Sequence, residues 1–138
     1  MKNKVVEESG QAVLETAIVL PVILMFIMIG ITVSLLIYSQ IIVTMSAANG
    51  ARYGATIWRN DEMTQSEKES DIKAASLKMV EENLPGKGRR YSVSEEDGML
   101  SVTVEYDFDI ILPFADFVLD NESVTITNTA EYYIGKDE

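Results

Sequence analysis

The residues with the clearest chemical role lie at the head of a long apolar run. Gly10 ends a short polar leader, and Glu15 follows five residues later, directly before the first residue of an uncharged stretch. A carboxylate in the first turns of a helix interacts favourably with the helix macrodipole, and it can also sit at a membrane interface. Glu15 therefore marks the beginning of a helix that starts at or near a membrane surface.

The remaining side chains offer little for catalysis. The 138 residues include no histidine and no cysteine, which removes the commonest general base, the commonest metal ligand and all thiolate chemistry. A membrane-bound hydrolase would need an acid–base pair among residues such as Asp107, Asp109 and Asp116. Asp107 and Asp109 alternate on the solvent face of one predicted strand, and no nucleophile accompanies them. We therefore expect no enzyme, no cofactor and no metal site.

The element that positions Glu15 is an apolar helix. No Asp, Glu, Lys or Arg occurs in the 36 residues from Thr16 to Ala51. A helix of that length reaches about 54 Å, whereas the hydrocarbon core of a bilayer is about 30 Å thick. This predicts a single membrane span whose surplus turns continue beyond the bilayer. The run is too long for a cleaved secretory signal peptide.

Two features subdivide this helix. Pro21 removes one intrahelical hydrogen bond and predicts a bend, although membrane helices also tolerate proline without a special role. Beyond Tyr38 the side chains become small, and they form two adjoining rows that permit close packing against another helix or a sheet. The protein's own domain is the favoured neighbour of these rows: Ser46, Gly50 and Gly54, with Ala47, Ala51 and Ala55 beside them.

Charge divides the chain into two parts. Residues 1–59 carry a net charge of +1 and residues 60–138 carry −12. An acidic domain repels phosphates, so we expect no nucleic-acid partner. The short leader with its two lysines favours a cytoplasmic N-terminus and an acidic domain outside the cytoplasmic membrane.

The sequence pattern of residues 60–138 predicts a small α+β domain. A helix opens at Ser70 and stops at Leu84-Pro85-Gly86, and the basic cluster from Gly86 to Arg90 is a surface connector rather than a phosphate-binding loop. Three antiparallel strands follow, and the surplus turns of the first helix cover their apolar face. The predicted segments are a strand at Tyr91–Glu95, a turn at Glu96–Gly98, a strand at Leu100–Ile110, an apolar crossover at Ile111–Phe114 and a strand at Val124–Tyr132.

The head of the helix and its small-residue stretch together resemble the TadE-like family. Gly10-Gln11-Ala12-Val13-Leu14-Glu15, then Leu20-Pro21, then Ala47 to Ala55 with Gly-Ala-Arg-Tyr inside it, are similar to minor pilins or pseudopilins of the tight-adherence secretion system. The similarity covers about residues 8–59, and the strand–Leu112-Pro113–strand order beyond it is also similar. Thr16 stands where the major pilins have an aromatic residue, which argues for a minor subunit.

This resemblance implies a structural, non-enzymatic role. It implies a type IV prepilin signal, in which a membrane-embedded aspartyl peptidase cuts between Gly10 and Gln11 on the cytoplasmic face. Glu15 would then pair with the amino terminus of a neighbouring subunit, because an unpaired carboxylate in an apolar bundle is costly. Arg52 and Tyr53 would lie where the helix leaves the membrane. The implied partners are the prepilin peptidase, other pilin or pseudopilin subunits, the pilus assembly machinery and membrane lipid, and the protein would take part in an adhesive filament.

These inferences divide the chain into a leader (1–10), a transmembrane and extended helix (11–59) and an acidic extracytoplasmic α+β domain (60–138). One alternative stays open. A plain single-pass protein with an acidic interaction domain would have the same helix and the same domain, but it would not be processed and would not enter a filament. It predicts that Gly10→Ala changes nothing.

Overall fold

A computed structural model describes the backbone of residues 2–86, 88–111 and 123–135, with side chains described from Gly10 onwards. It contains two helices and three strands in the order α1 (Lys2–Ile57), α2 (Gln65–Asn83), β1 (Arg89–Glu96), β2 (Met99–Asp109) and β3 (Ser123–Tyr133). The strands form one antiparallel sheet in the order β1-β2-β3. The predicted α+β fold, with a long first helix, a second helix and a three-stranded antiparallel sheet, is confirmed.

Helix α1 is a single element of 56 residues, and it continues through Pro21. Hydroxyl groups along its apolar part donate to the carbonyl oxygen four residues earlier. Thr16 donates to Ala12 at 2.9 Å and Ser34 donates to Gly30 at 2.8 Å. These bonds satisfy the hydroxyls within the helix, as a helix surrounded by hydrocarbon requires.

Helix α2 begins earlier than the sequence predicts. It starts at Gln65 rather than near Ser70, because Thr64 and Glu67 form a capping box. The Glu67 backbone N–H donates to Thr64 Oγ1 at 3.3 Å, and the Thr64 backbone N–H donates to Glu67 Oε2 at 2.8 Å. These bonds satisfy N–H groups that a helix start leaves unpaired. The predicted stop is confirmed, since the helix ends at Asn83 and Leu84, which precedes a proline, is extended.

The hairpin between β1 and β2 follows the predicted turn. Asp97 and Gly98 both have positive φ, 54° and 78°, and they connect the last strand pair, Glu96 and Met99. This is a two-residue hairpin turn whose backbone twist matches the right-handed twist of the two strands that it connects. The buried residues of β2 alternate along the strand as predicted: Leu100, Val102, Val104, Tyr106 and Phe108.

The outer face of the sheet is polar and holds the carboxylates considered for a hydrolase. Arg90 contacts Glu105 through Nε at 2.6 Å and Asp107 through both terminal nitrogens at 3.0 Å. The hydroxyl of Thr125 and this guanidinium lower the pKa of Asp107. The pair Asp107–Arg90 is thus a cross-strand ion pair on a solvated face. The predicted crossover from Leu112 onwards lies outside the described residues, and so does Asp116.

The core lies where α1, α2 and the sheet meet. Val43, Ala47 and Ala51 of α1 are at most 1% exposed, and they belong to the same buried cluster as Ile72 of α2 and Val102 of β2. The C-terminal half of α1 is therefore an integral layer of the domain, which confirms that this helix covers the sheet.

Candidate assembly and membrane surface

The first half of α1 projects away from the domain with its apolar side chains exposed. Residues 10–31 are exposed apart from one half-buried methionine. Ile18 is 69% exposed and Phe26 is 70% exposed. Among the described residues, Gly10–Ile57 is the one helix apolar and long enough to cross a membrane, and only 6% of its most apolar window is buried. A core helix of a soluble protein would be mostly buried, so this segment is suited to a single membrane span.

Thr32 is the first buried residue along this helix. Its side chain is 7% exposed, and its hydroxyl lies 2.9 Å from the carbonyl oxygens of both Met28 and Ile111. The contact with Ile111 joins α1 to the residues that follow β2. The 22 residues from Gly10 to Ile31 extend about 33 Å, which matches a hydrocarbon core of about 30 Å. The exposed segment is thus long enough for one span, and it ends where the domain begins.

Strand β2 runs alongside the second half of α1 in the opposite direction. Gly54 lies against Leu100 at the start of β2, and Thr32 bonds Ile111 just after the end of β2. The domain therefore has a base, close to Thr32 and the end of β2, and a far end close to Gly54 and the Asp97–Gly98 turn. Helix α2 ends at the base, because Asn83 contacts Tyr38.

The small residues of α1 face the domain at its closest approach. Ser46, Ala47, Gly50, Ala51 and Gly54 are all buried. A Cβ added to Gly54 would lie 2.5 Å from Leu100 Cδ2 and 3.0 Å from Ile72 Cδ1, and one added to Gly50 would meet the Ser76 side chain. At these two points a Cβ would force the neighbouring side chains to shift, because its space is already occupied.

Arg52 and Tyr53 lie on the outer side of the helix at the level of α2. Both are exposed, and with Asn49, Thr56 and Ala75 they line a shallow hollow. Arg52 follows Thr32 by 20 residues, about 30 Å along the helix axis. This position lies well beyond the exposed apolar segment. The membrane exit at Arg52 and Tyr53 that the resemblance implies stays a prediction.

The head of the helix is accessible. Gly10, Gln11 and Glu15 are all exposed, and a Cβ placed on Gly10 would meet nothing within 4 Å. The structure places these three residues within two turns of one another on a continuous helix. They have the exposure that a processing site needs, and Glu15 lies at the N-terminal end of the exposed apolar segment.

The burial of Lys68 was not anticipated from the sequence. Lys68 is 9% exposed, and its Nζ donates to the Trp58 carbonyl at 2.6 Å, which satisfies an oxygen at the end of α1. The hydroxyls of Ser46 and Tyr91 are buried without a partner among the described residues. Burial, together with the charge of Glu69, raises the pKa of Tyr91 to about 12. The Lys68 contact depends on where the loop after α1 folds back, so no local signal could have identified it.

Comparison with known proteins supports the resemblance seen in the helix. The model of a family described as TadE-like protein matches residues 10–52. A comparison with curated proteins and one with solved structures each gave no match. The matched segment begins at Gly10, contains the whole exposed apolar part and includes the small-residue face as far as Arg52. This match and the single apolar helix together fit a single-pass membrane protein associated with a tight-adherence pilus, and the predicted resemblance to the TadE-like family is confirmed over residues 10–52.

Proposed function

We propose that this protein is a minor pilin or pseudopilin, a structural and assembly component of a tight-adherence pilus, without enzymatic activity. The observation that carries the proposal is the overlap of two segments. The family match covers residues 10–52, and it contains the helical segment of residues 10–31, whose apolar side chains are exposed. A subunit that is held in a membrane before assembly needs such a segment, and so does a subunit that packs helix against helix in a filament.

In this proposal the helix crosses the cytoplasmic membrane from Gly10 to about Thr32, and the domain rests on the outer surface. The length of the exposed segment supports this depth, as does the hydrogen bond by which Thr32 joins the domain. The two lysines of the leader favour a cytoplasmic N-terminus. Arg52 and Tyr53 then stand on the side of the domain, where they are available to a neighbouring subunit rather than to lipid head groups.

Processing is part of the proposal. The prepilin peptidase would cut between Gly10 and Gln11 at the cytoplasmic surface, and Glu15 would lie just inside the membrane. A carboxylate there is costly unless it is paired. The new amino terminus of a neighbouring subunit is the cation that would pair with it. The open space around the Cα atom of Gly10 supports this step, because a peptidase needs an approach that side chains do not block.

The test is the N-terminal mass of the protein from membranes of cells with and without the prepilin peptidase. We expect a chain that begins at Gln11 only when the peptidase is present, and an uncut chain for Gly10→Ala in both strains. Gly30→Ala is the matched control, because Gly30 is also an exposed glycine of the same helix with open space around it. A wild-type chain that starts at Met1 or Lys2 in both strains would contradict processing and favour an unprocessed single-pass protein with an acidic interaction domain.

A further inference from the structure

An apolar cleft of about 180 Å³ opens at the base of the domain, on the side of α1 where the helix enters it. One wall is α1 and the other is formed by the ends of α2 and β2. Phe108 and Leu84 supply the deepest apolar surface, since they are only 5% and 4% exposed. Leu35 and Ile111 lie at the opening and are much more exposed. The cleft is therefore an apolar indentation in the surface of the domain, and it is open to its surroundings.

The cleft lies at the level along α1 where the proposed membrane span reaches the edge of the bilayer. Leu35 follows Thr32 by three residues and Ser39 follows it by seven, so these positions lie about 4.5 Å and 10 Å further along the helix axis. The head-group layer on each side of a bilayer is only about 5–7 Å thick. A helix that leaves the hydrocarbon near Thr32 consequently places the opening of the cleft, at Leu35, in the head-group layer directly beside the acyl chains.

The polar groups around the cleft are those expected at such a boundary. Tyr38 donates its hydroxyl to Asn83 Oδ1 at 3.4 Å, and Tyr106 donates its hydroxyl to the Pro85 carbonyl at 2.7 Å. Tyrosine suits the membrane interface because its ring is apolar and its hydroxyl is polar. Ile31 and Leu35 are both exposed and lie four residues apart on the same face of α1, so the apolar surface of residues 10–31 reaches the opening of the cleft.

We propose that this cleft binds the acyl chain of a bilayer phospholipid and so seats the domain on the membrane. The inference rests on the membrane insertion proposed above, because it takes its ligand from the continuity between the cleft and the membrane-spanning surface. The ligand is the hydrocarbon rather than the phosphate, since Asp109 is the charged residue among the described residues that line the cleft, and it repels an anionic group. The bound chain contacts Phe108 and covers the exposed surface of Leu35 and Ile111.

Fluorescence quenching by brominated lipid tests this proposal on the full-length protein. Trp58 is the single tryptophan and is replaced by phenylalanine, and Phe108→Trp then puts a reporter inside the cleft. The protein is reconstituted in phosphatidylcholine vesicles with or without bromine on the acyl chains. We expect bromine to remove most of the fluorescence at position 108. Unmodified Trp58, near the far end of the domain, is expected to keep its fluorescence in the same vesicles.

A matched pair of variants separates the cleft from general contact with lipid. Ser39 lines the cleft and is 3% exposed, whereas Ser34 is exposed on the same helix. Ser39→Phe fills the cleft and is expected to restore fluorescence at position 108 in brominated vesicles. Ser34→Phe introduces the same ring outside the cleft and is expected to leave the quenching unchanged. Circular dichroism of both variants verifies that the domain is folded.

A third reporter, Phe26→Trp in the Trp58→Phe background, separates this inference from the proposed function. Quenching at position 26 without quenching at position 108 would overturn the lipid cleft and leave the membrane span intact. Absence of quenching at both positions would contradict the membrane span itself. Quenching at position 108 that fades as the ratio of protein to lipid rises would assign the cleft to a second copy of this chain, and it would equally overturn the proposal.

Discussion

The two halves of α1 share one helical backbone but present opposite kinds of surface. From Gly10 to Ile31 bulky apolar side chains point in every direction and are exposed. From Thr32 to Ile57 the buried positions fall on one stripe, and the residues on it are smallest at Gly50 and Gly54. A helix in lipid is surrounded by one kind of solvent and needs no preferred face. A helix that covers a sheet needs a face narrow enough for the sheet to approach.

Isoleucine-to-alanine substitutions are expected to show the largest difference between the two halves of α1 in their effect on the free energy of unfolding. Ile42 is 7% exposed and belongs to the core, whereas Ile18 is 69% exposed. Ile42→Ala is expected to lower the free energy of unfolding of the domain by about 2–5 kcal/mol, because it removes buried methyl groups and leaves a cavity. Ile18→Ala is expected to leave it unchanged. Urea unfolding in detergent micelles, followed by Trp58 fluorescence, measures both.

Equal losses for Ile42→Ala and Ile18→Ala would contradict the division of α1 into two surfaces. They would mean that residues around Ile18 contact the domain in solution. A smaller loss for Ile42→Ala than for Ile18→Ala would also be inconsistent with the core, since the cost of such a truncation rises with the volume of the cavity that remains.

Glycine-to-alanine substitutions in the two halves are expected to differ less in their effect on the free energy of unfolding. Gly54→Ala places a Cβ 2.5 Å from Leu100 Cδ2, so β2 or the Leu100 side chain must shift. We expect a loss of about 1–3 kcal/mol, the usual cost of overpacking a filled core. Gly30→Ala meets open space, and it is expected to be neutral or slightly stabilising because alanine favours the helix. A neutral Gly54→Ala in the same urea experiment would show that the sheet does not approach α1 this closely.

Much of this architecture could be predicted from local patterns. The alternation along β2 and the Asp97-Gly98 turn are short-range signals, and both the strand and the hairpin are where they were expected. The beginning of α2 was wrong by five residues because the polar segment before Ser70 was interpreted as a loop. Thr64-Gln65-Ser66-Glu67 is a capping-box sequence, so in this case the signal was present and was overlooked.

The level at which the domain begins could not be predicted in the same way. The composition of α1 changes from bulky to small near Tyr38, and its charges resume only at Arg52. The resemblance to the TadE-like family implied a membrane exit at Arg52 and Tyr53, and this stays a prediction. In the structure the contact between α1 and the domain begins at Thr32, which forms a hydrogen bond with Ile111. Such a contact joins residues that are far apart in the sequence, and a single threonine in an apolar run does not reveal it.

The smallest predicted effect concerns two serines on the packed half of α1. Ser46 is fully buried and its hydroxyl has no partner among the described residues, whereas Ser39, 3% exposed, donates to the Leu35 carbonyl at 2.9 Å. Burying an unpaired hydroxyl is unfavourable, so Ser46→Ala is expected to raise the free energy of unfolding by about 1 kcal/mol. Ser39→Ala is the matched control, since it makes the same gain in helix propensity but loses a satisfied hydrogen bond. If Ser46→Ala proves no more stabilising than Ser39→Ala, then the Ser46 hydroxyl has a hydrogen-bond partner in the folded protein. In that case the packing of α1 against α2 and the sheet is looser around Ser46 than the close contacts of Gly50 and Gly54 indicate.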